Sequence, residues 1–90
     1  MDVDFDGAKA ASNLRKHGVS FEEAASSLFD PHALVREDIH ALGENRLVLL
    51  GMSLRGRLLV VVYTVRGDVV RLISARRATR NEGMHYAKRV

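Results

Sequence analysis

Leu58-Leu59-Val60-Val61-Val62-Tyr63 is apolar on both faces of any strand it forms. Leu58, Val60 and Val62 fall on one side, and Leu59, Val61 and Tyr63 on the other. A strand of this kind belongs at the centre of a sheet with cover on both faces, so the rest of the chain must be arranged around it. Its neighbours supply the material. Arg46–Leu54 is a second Val- and Leu-rich run, and Arg55-Gly56 marks a tight turn into Arg57–Arg66. Gly67-Asp68 is a two-residue hairpin turn into Val69–Ala75, and Ala33–Ile39 alternates apolar with polar.

The helices are signalled by their caps. After an extended Val3-Asp4-Phe5, Asp6 caps a helix from Gly7 to about His17, with Ala8, Ala11 and Leu14 as a narrow apolar stripe. Gly18 follows where left-handed backbone is usually needed. Ser20 caps a second helix, and Glu23 completes a Ser-x-x-Glu capping box. Phe21, Ala24, Ala25, Leu28 and Phe29 lie on one face of it, and Asp30-Pro31 ends it. Beyond Arg77 the polar stretch with Glu82, Tyr86 and Lys88 predicts a short terminal helix, in which Gly83 costs about 1 kcal/mol relative to alanine. The order β-α-α-β-β-β-β-α predicts an α+β fold, an antiparallel meander with two helices on one face. Ninety residues allow one domain, 1–90, of modest stability.

Charge narrows the function. Residues 1–45 carry four basic side chains against nine acidic, a net −5, whereas residues 46–90 carry ten against two, a net +8. Eleven of the fourteen cations are arginine, whose planar fork suits phosphate, so nucleic acid is the first partner to consider. With no cysteine there is neither a disulfide framework nor a thiolate metal site. His32 and His40 have no ligand spacing to another residue, and no metal or cofactor is expected. The acidic Met1-Asp2-Val3-Asp4 is unlike a signal peptide and no apolar stretch is long enough for a membrane span, which predicts a cytoplasmic protein.

Four features each have a structural and a functional reading. Lys16-His17 ends the first helix, where cations meet the macrodipole, but a histidine beside a lysine also suits proton transfer next to phosphate. Glu22, which the capping box does not use, is a solvated helix residue or a general base. In a regular strand Arg71 and Arg77 share a face opposite Arg76, so Arg71 and Arg76 serve one site only if the strand ends or bulges between them. Each of these arginines either pairs with a carboxylate of the protein or clamps a substrate phosphate. Tyr86 is a packing residue or an aromatic platform among cations, an arrangement that suits RNA.

Taken together, three segments resemble the BrnT family, ribonuclease toxins of type II toxin–antitoxin systems. They are Asn13-Leu14-Arg15-Lys16-His17-Gly18-Val19-Ser20-Phe21-Glu22-Glu23-Ala24; Gly43-Glu44-Asn45-Arg46 with Arg57–Thr64; and Arg71–Thr79 followed by Glu82 and Tyr86. The chain departs from the family at Phe5, where tryptophan is common, and at Gly83, where charged helix formers are usual. The resemblance implies a RelE-like fold, a curved antiparallel sheet with two N-terminal helices on one face and a short C-terminal helix. It also implies a BrnA-like ribbon-helix-helix antitoxin, a toxin–antitoxin heterotetramer, and operator binding through the antitoxin.

On that resemblance Lys16, His17, Glu22, Arg71 and Arg76 are the expected catalytic set for metal-independent RNA cleavage by the ribose 2′-hydroxyl. Arg57, Arg77, Arg80 and Tyr86 are the expected RNA-binding set. The competing classes are a basic module that binds nucleic acid without cutting it and a module that only holds its antitoxin.

Overall fold

A computed structural model describes residues 1–38 and 45–88. Ile39, His40, Gly43 and Glu44, which entered the sequence reading, lie outside the described residues. The elements follow the order β1 (Asp2–Asp4), α1 (Gly7–His17), α2 (Phe21–Ser27), β2 (Leu34–Glu37), β3 (Arg46–Met52), β4 (Leu58–Arg66), β5 (Val69–Arg77) and α3 (Arg80–Ala87). The predicted order of elements is therefore the observed one.

Strands β2 to β5 form the antiparallel meander, with β4 central between β3 and β5. Strand β1 adds to it in a way the antiparallel reading did not include: it runs parallel to β5, Asp2 to Asp4 opposite Val69 to Arg71. The sheet order is β1-β5-β4-β3-β2.

One face of the sheet presents Leu49, Leu59, Val61, Tyr63, Val70, Leu72 and Ala75 to α1 and α2, and there Val19, Phe21 and Ala24 complete the core. The Phe5 ring meets Phe21 edge-on, with centroids 5.3 Å apart and planes at 82°. Such a pair adds about 1 kcal/mol beyond the area it buries.

Two helix faces differ from expectation. Ala8, Ala11 and Leu14 are exposed, and α1 instead buries Ala10 partly and Asn13 fully. In α2 Phe21, Ala24, Ala25 and Leu28 pack on the core as expected, joined by Ser27, and only Phe29, beyond the helix end, is exposed, at 67%.

Gly51 sets how closely α2 approaches the sheet. A Cβ there would lie 2.9 Å from the Ser27 carbonyl oxygen and 2.8 Å from Leu49 Cδ2, so only glycine lets the strand and the helix end touch. Gly18 takes φ +67° as the left-handed cap of α1, as its position predicts.

Candidate active site

The sheet face turned away from α1 and α2 carries two of the predicted arginines together. Val62 pairs with Ser74, but the next residue, Tyr63, pairs with Leu72, leaving Ile73 as the extra residue of a β-bulge. The bulge reverses the alternation of side chains within β5. Arg71, opposite Thr64, and Arg76, opposite Val60, consequently project from the same face.

Each is held by a carboxylate. Arg71 Nη1 donates to Asp4 Oδ2 at 2.6 Å across the parallel β1–β5 pair. Arg76 donates from Nη1 and Nη2 to both oxygens of Glu82 at 2.8 and 2.9 Å. That fork holds the Glu82 carboxyl down at about 2 against some burial. Glu82 Oε1 also accepts the Thr79 N–H at 2.7 Å, closing a capping box at the start of α3. The same carboxylate thus fixes Arg76 and starts the helix. Arg71 is not packed into the apolar strand as its sequence neighbours suggest. Its side chain is 52% exposed, and an ion pair rather than packing holds it.

On the other face a buried polar frame holds the end of α1. Strand β1 covers β5 only as far as Arg71, so the outer edge at Ala75 needs another partner. Asn13 is that partner. Its Oδ1 accepts the Ala75 N–H at 3.0 Å, and its Nδ2 donates to the carbonyls of Ala75 and Val19 at 2.8 and 3.0 Å. Lys16 and His17 lie three and four residues on, on the same side of α1.

Glu23 locks the same corner from below. Its side chain is 2% exposed, and it accepts a two-pronged contact from Arg57, whose Nε lies 2.9 Å from Oε2, and a bond from Ser53 Oγ at 2.7 Å. Arg55 approaches to 3.6 Å, and Arg57 Nη2 also donates to the Gly18 carbonyl at 3.0 Å. The Arg57 guanidinium is the main reason that the Glu23 carboxyl sits at about 2 despite its burial.

These contacts change three assignments. Ser20 caps α2 as expected, but the Glu23 side chain does not close the box; it turns inward to Arg57. Arg57, expected among the RNA-binding residues, is occupied by Glu23 and Gly18. Tyr86, expected among the RNA contacts, is only 9% exposed. Its hydroxyl donates to Asp30 Oδ2 at 2.5 Å, which together with burial pushes it up to about 12. A ring so covered packs α3 against the loop after α2 rather than stacking on a base.

Lys16, His17, Glu22, Arg77 and Arg80 are exposed and, among the described residues, make no side-chain hydrogen bond or ion pair. Arg71 and Arg76 project from one face of β5 and Arg77, opposite Leu59, from the other, while Lys16 and His17 end α1. Arg76 Nη1 also donates to the Arg77 carbonyl at 3.2 Å. Glu22 stands apart on the first turn of α2. The charge split is also partly neutralised by folding, since Asp4 and Glu23 from the acidic half bind Arg71, Arg55 and Arg57 from the basic half.

Sequence reasoning passed over Asn13, Glu23, Asp4, Asp30 and Glu82 as partners. Only Glu82 had a legible signal, the Thr79-x-x-Glu82 spacing of a capping box. Among the described residues no three His, Cys, Asp or Glu side chains gather as a metal site, and no helix is long and apolar enough to cross a membrane.

Residues 5–82 match the family model of the ribonuclease toxin BrnT of type II toxin–antitoxin systems. The chain belongs to the BrnT family. Its fold is similar to that of the Brucella abortus ribonuclease toxin BrnT, with a TM-score of 0.70 and 24% identity over 89% of this chain and 99% of that one. Comparison with curated proteins gives no match. Within the BrnT family signature, the segment Asn13–Ala24 is the α1–α2 corner gripped by Asn13 and Glu23, and Arg71–Thr79 is the bulged strand with the cap of α3.

Proposed function

We propose that this BrnT-family chain, acting as one domain over residues 1–90 in the cytoplasm, is the toxin of a toxin–antitoxin pair and cuts RNA without a divalent metal. The observation that supports this most is the bulge at Ile73, which turns Arg71 and Arg76 to one face. In the proposed reaction a ribose 2′-oxygen attacks the adjacent phosphorus, the bond from phosphorus to the 5′-oxygen breaks, and a 2′,3′-cyclic phosphate remains. One group must take the 2′ proton and another must protonate the leaving oxygen.

His17 is favoured over Glu22 as the base, because it follows by one helical turn Asn13, which binds Ala75 of β5, while Glu22 lies on the first turn of α2. Lys16 and Arg77 would hold the scissile segment, and Arg80 a flanking phosphate. Arg71 and Arg76, pre-aimed by Asp4 and Glu82, would meet the charge building on phosphorus. Their positive charge does the work that a bound cation does elsewhere.

A BrnA-like ribbon-helix-helix antitoxin would neutralise the toxin by covering the remaining exposed cations with an acidic segment. The two would form a heterotetramer that binds operator DNA through the antitoxin.

The test is incubation of the purified chain with labelled RNA in EDTA, beside His17→Ala and Arg71→Ala. Cleavage that survives EDTA, leaves cyclic phosphate ends and fails in the variants is expected. Activity abolished by EDTA and restored by magnesium would refute the metal-independent reading.

A further inference from the structure

The bulged face continues past Arg76 into a cleft to which no role has been given. Its floor is aliphatic: Leu34, Leu50 and Val60 sit side by side on β2, β3 and β4, with Val48 beside them. Helix α3 forms one wall with Glu82 and His85, which lie three residues apart on one side of the helix. Arg36 on β2 stands at the opposite rim, and the cleft encloses about 380 Å³. That is the lower end of the range for small-molecule sites. Since Val60 pairs with Arg76, the floor begins where the arginine pair ends.

We propose that this cleft is a guanine-binding subsite, which selects the RNA base next to the phosphate held by Arg71 and Arg76. The inference rests on the ribonuclease reading above. A flat apolar floor with an imidazole beside it suits a stacked ring, because histidine is among the side chains on which unpaired bases stack.

The polar rim selects which ring. A carboxylate has about four acceptor positions. On Glu82, Oε1 already accepts Arg76 Nη1 and Thr79 N, while Oε2 accepts only Arg76 Nη2. One acceptor position therefore remains, on the oxygen that the helix cap does not use. Across the floor, Arg36 spends one donor on the Glu37 carbonyl at 3.3 Å, and the rest of its fork has no partner among the described residues.

An acceptor on one wall and a donor fork on the other fit a base with donors along one edge and acceptors along another. Guanine meets this requirement, with N1–H and N2–H on its pairing edge and O6 and N7 on its outer edge. Adenine and cytosine alternate donor and acceptor along their pairing edges. Uracil offers a single N–H between two carbonyls. The paired contacts of Arg76 also leave its Nε–H without a partner among the described residues, which keeps one edge of that guanidinium for the adjoining phosphate.

The experiment titrates GMP, AMP, CMP, UMP and inorganic phosphate into the isotopically labelled full chain and follows the backbone amides. GMP is expected to shift Leu34, Leu50, Val60 and His85 and to bind about tenfold more tightly than UMP, the discrimination typical of one good bidentate base contact. Arg36→Ala and His85→Ala should bring GMP down to the level of the other nucleotides while the amides of α1 stay in place. In cleavage assays the same two variants should lose the parent's preference for guanine.

Equal binding of the four nucleotides, or the same shifts with phosphate alone, overturns the proposal. So does a floor that responds to the antitoxin and not to GMP. RNA cleavage with no preference for guanine would remove this subsite and leave the ribonuclease reading standing. Selective GMP binding by a chain that cuts no RNA would do the reverse.

Discussion

Asn13 substitutes for a missing strand at Ala75, taking the N–H at 3.0 Å and the carbonyl at 2.8 Å where β1 has already ended. Asn13→Ala leaves that N–H and two carbonyls unpaired in a buried place, and each orphaned group costs about 1–3 kcal/mol. A total loss of about 3 kcal/mol is expected, which in a chain this size lowers the thermal midpoint by roughly 12–24 °C. A midpoint within about 4 °C of the parent would show that the edge of β5 is held by something else.

Acid should unfold this protein through two carboxylates. Glu23 and Glu82 both sit at about 2 in the folded chain against an ordinary 4.5. The unfolded chain therefore binds more protons between those values, and stability rises with pH across that window. The contribution is complete above pH 4.5 and is lost as the pH falls toward 2. Urea midpoints from pH 6 to pH 2 should decline steeply in this interval. Glu23→Gln should be less stable at pH 6 and show a shallower decline, and an unchanged slope would dismiss Glu23 as a source.

Arg71 and Arg77 should separate chemistry from binding. Arg71 projects from a solvated face, so Arg71→Ala should fold normally and lower kcat by tenfold or more, with RNA affinity nearly unchanged. Arg77→Ala and Arg80→Ala should weaken RNA binding and reduce its salt dependence by about one counterion each. A folded Arg71→Ala protein with the parent's kcat would assign that arginine to the β1–β5 ion pair alone.

Two glycines should respond in opposite directions to alanine. At Gly83 an added Cβ meets only Leu58 Cδ2, at 3.9 Å, so Gly83→Ala should raise stability by about 0.8–1 kcal/mol through helix propensity. At Gly51 it meets the Ser27 carbonyl at 2.9 Å, and Gly51→Ala should destabilise, forcing α2 off the sheet. Thermal melts of the two proteins side by side decide both.

What the sequence disclosed follows what local chemistry controls. The strands and their turns were legible because runs such as Leu58–Tyr63 declare themselves in binary pattern, and the first two helix starts because Asp6 and Ser20 cap within a few residues. The inward face of α1 was not legible, since periodicity counts apolar residues and this helix anchors through an amide. Glu23 satisfied a local motif yet was claimed by Arg57, 34 residues away. Nothing near Val3 announces that β1 pairs with β5 in parallel. The bulge at Ile73 carries no glycine to mark it. The catalytic candidates were thus found by residue type and resemblance, and their supporting carboxylates only by the fold.

Positions along a strand have parity, and Arg71 and Arg76 differ in it. One surplus residue between them cancels the difference. The bulge is for that reason as much a determinant of this surface as the two arginines themselves. Regular pairing of every residue of β5, with Arg76 held in place, would rotate Arg71 toward the core, where Leu72 and Val70 now lie. Deleting Ile73 would instead remove the bulge and leave both arginines on one face. Single-residue insertions in this short stretch should therefore be tolerated less well than loss of Ile73, a pattern visible in a library that samples length rather than identity.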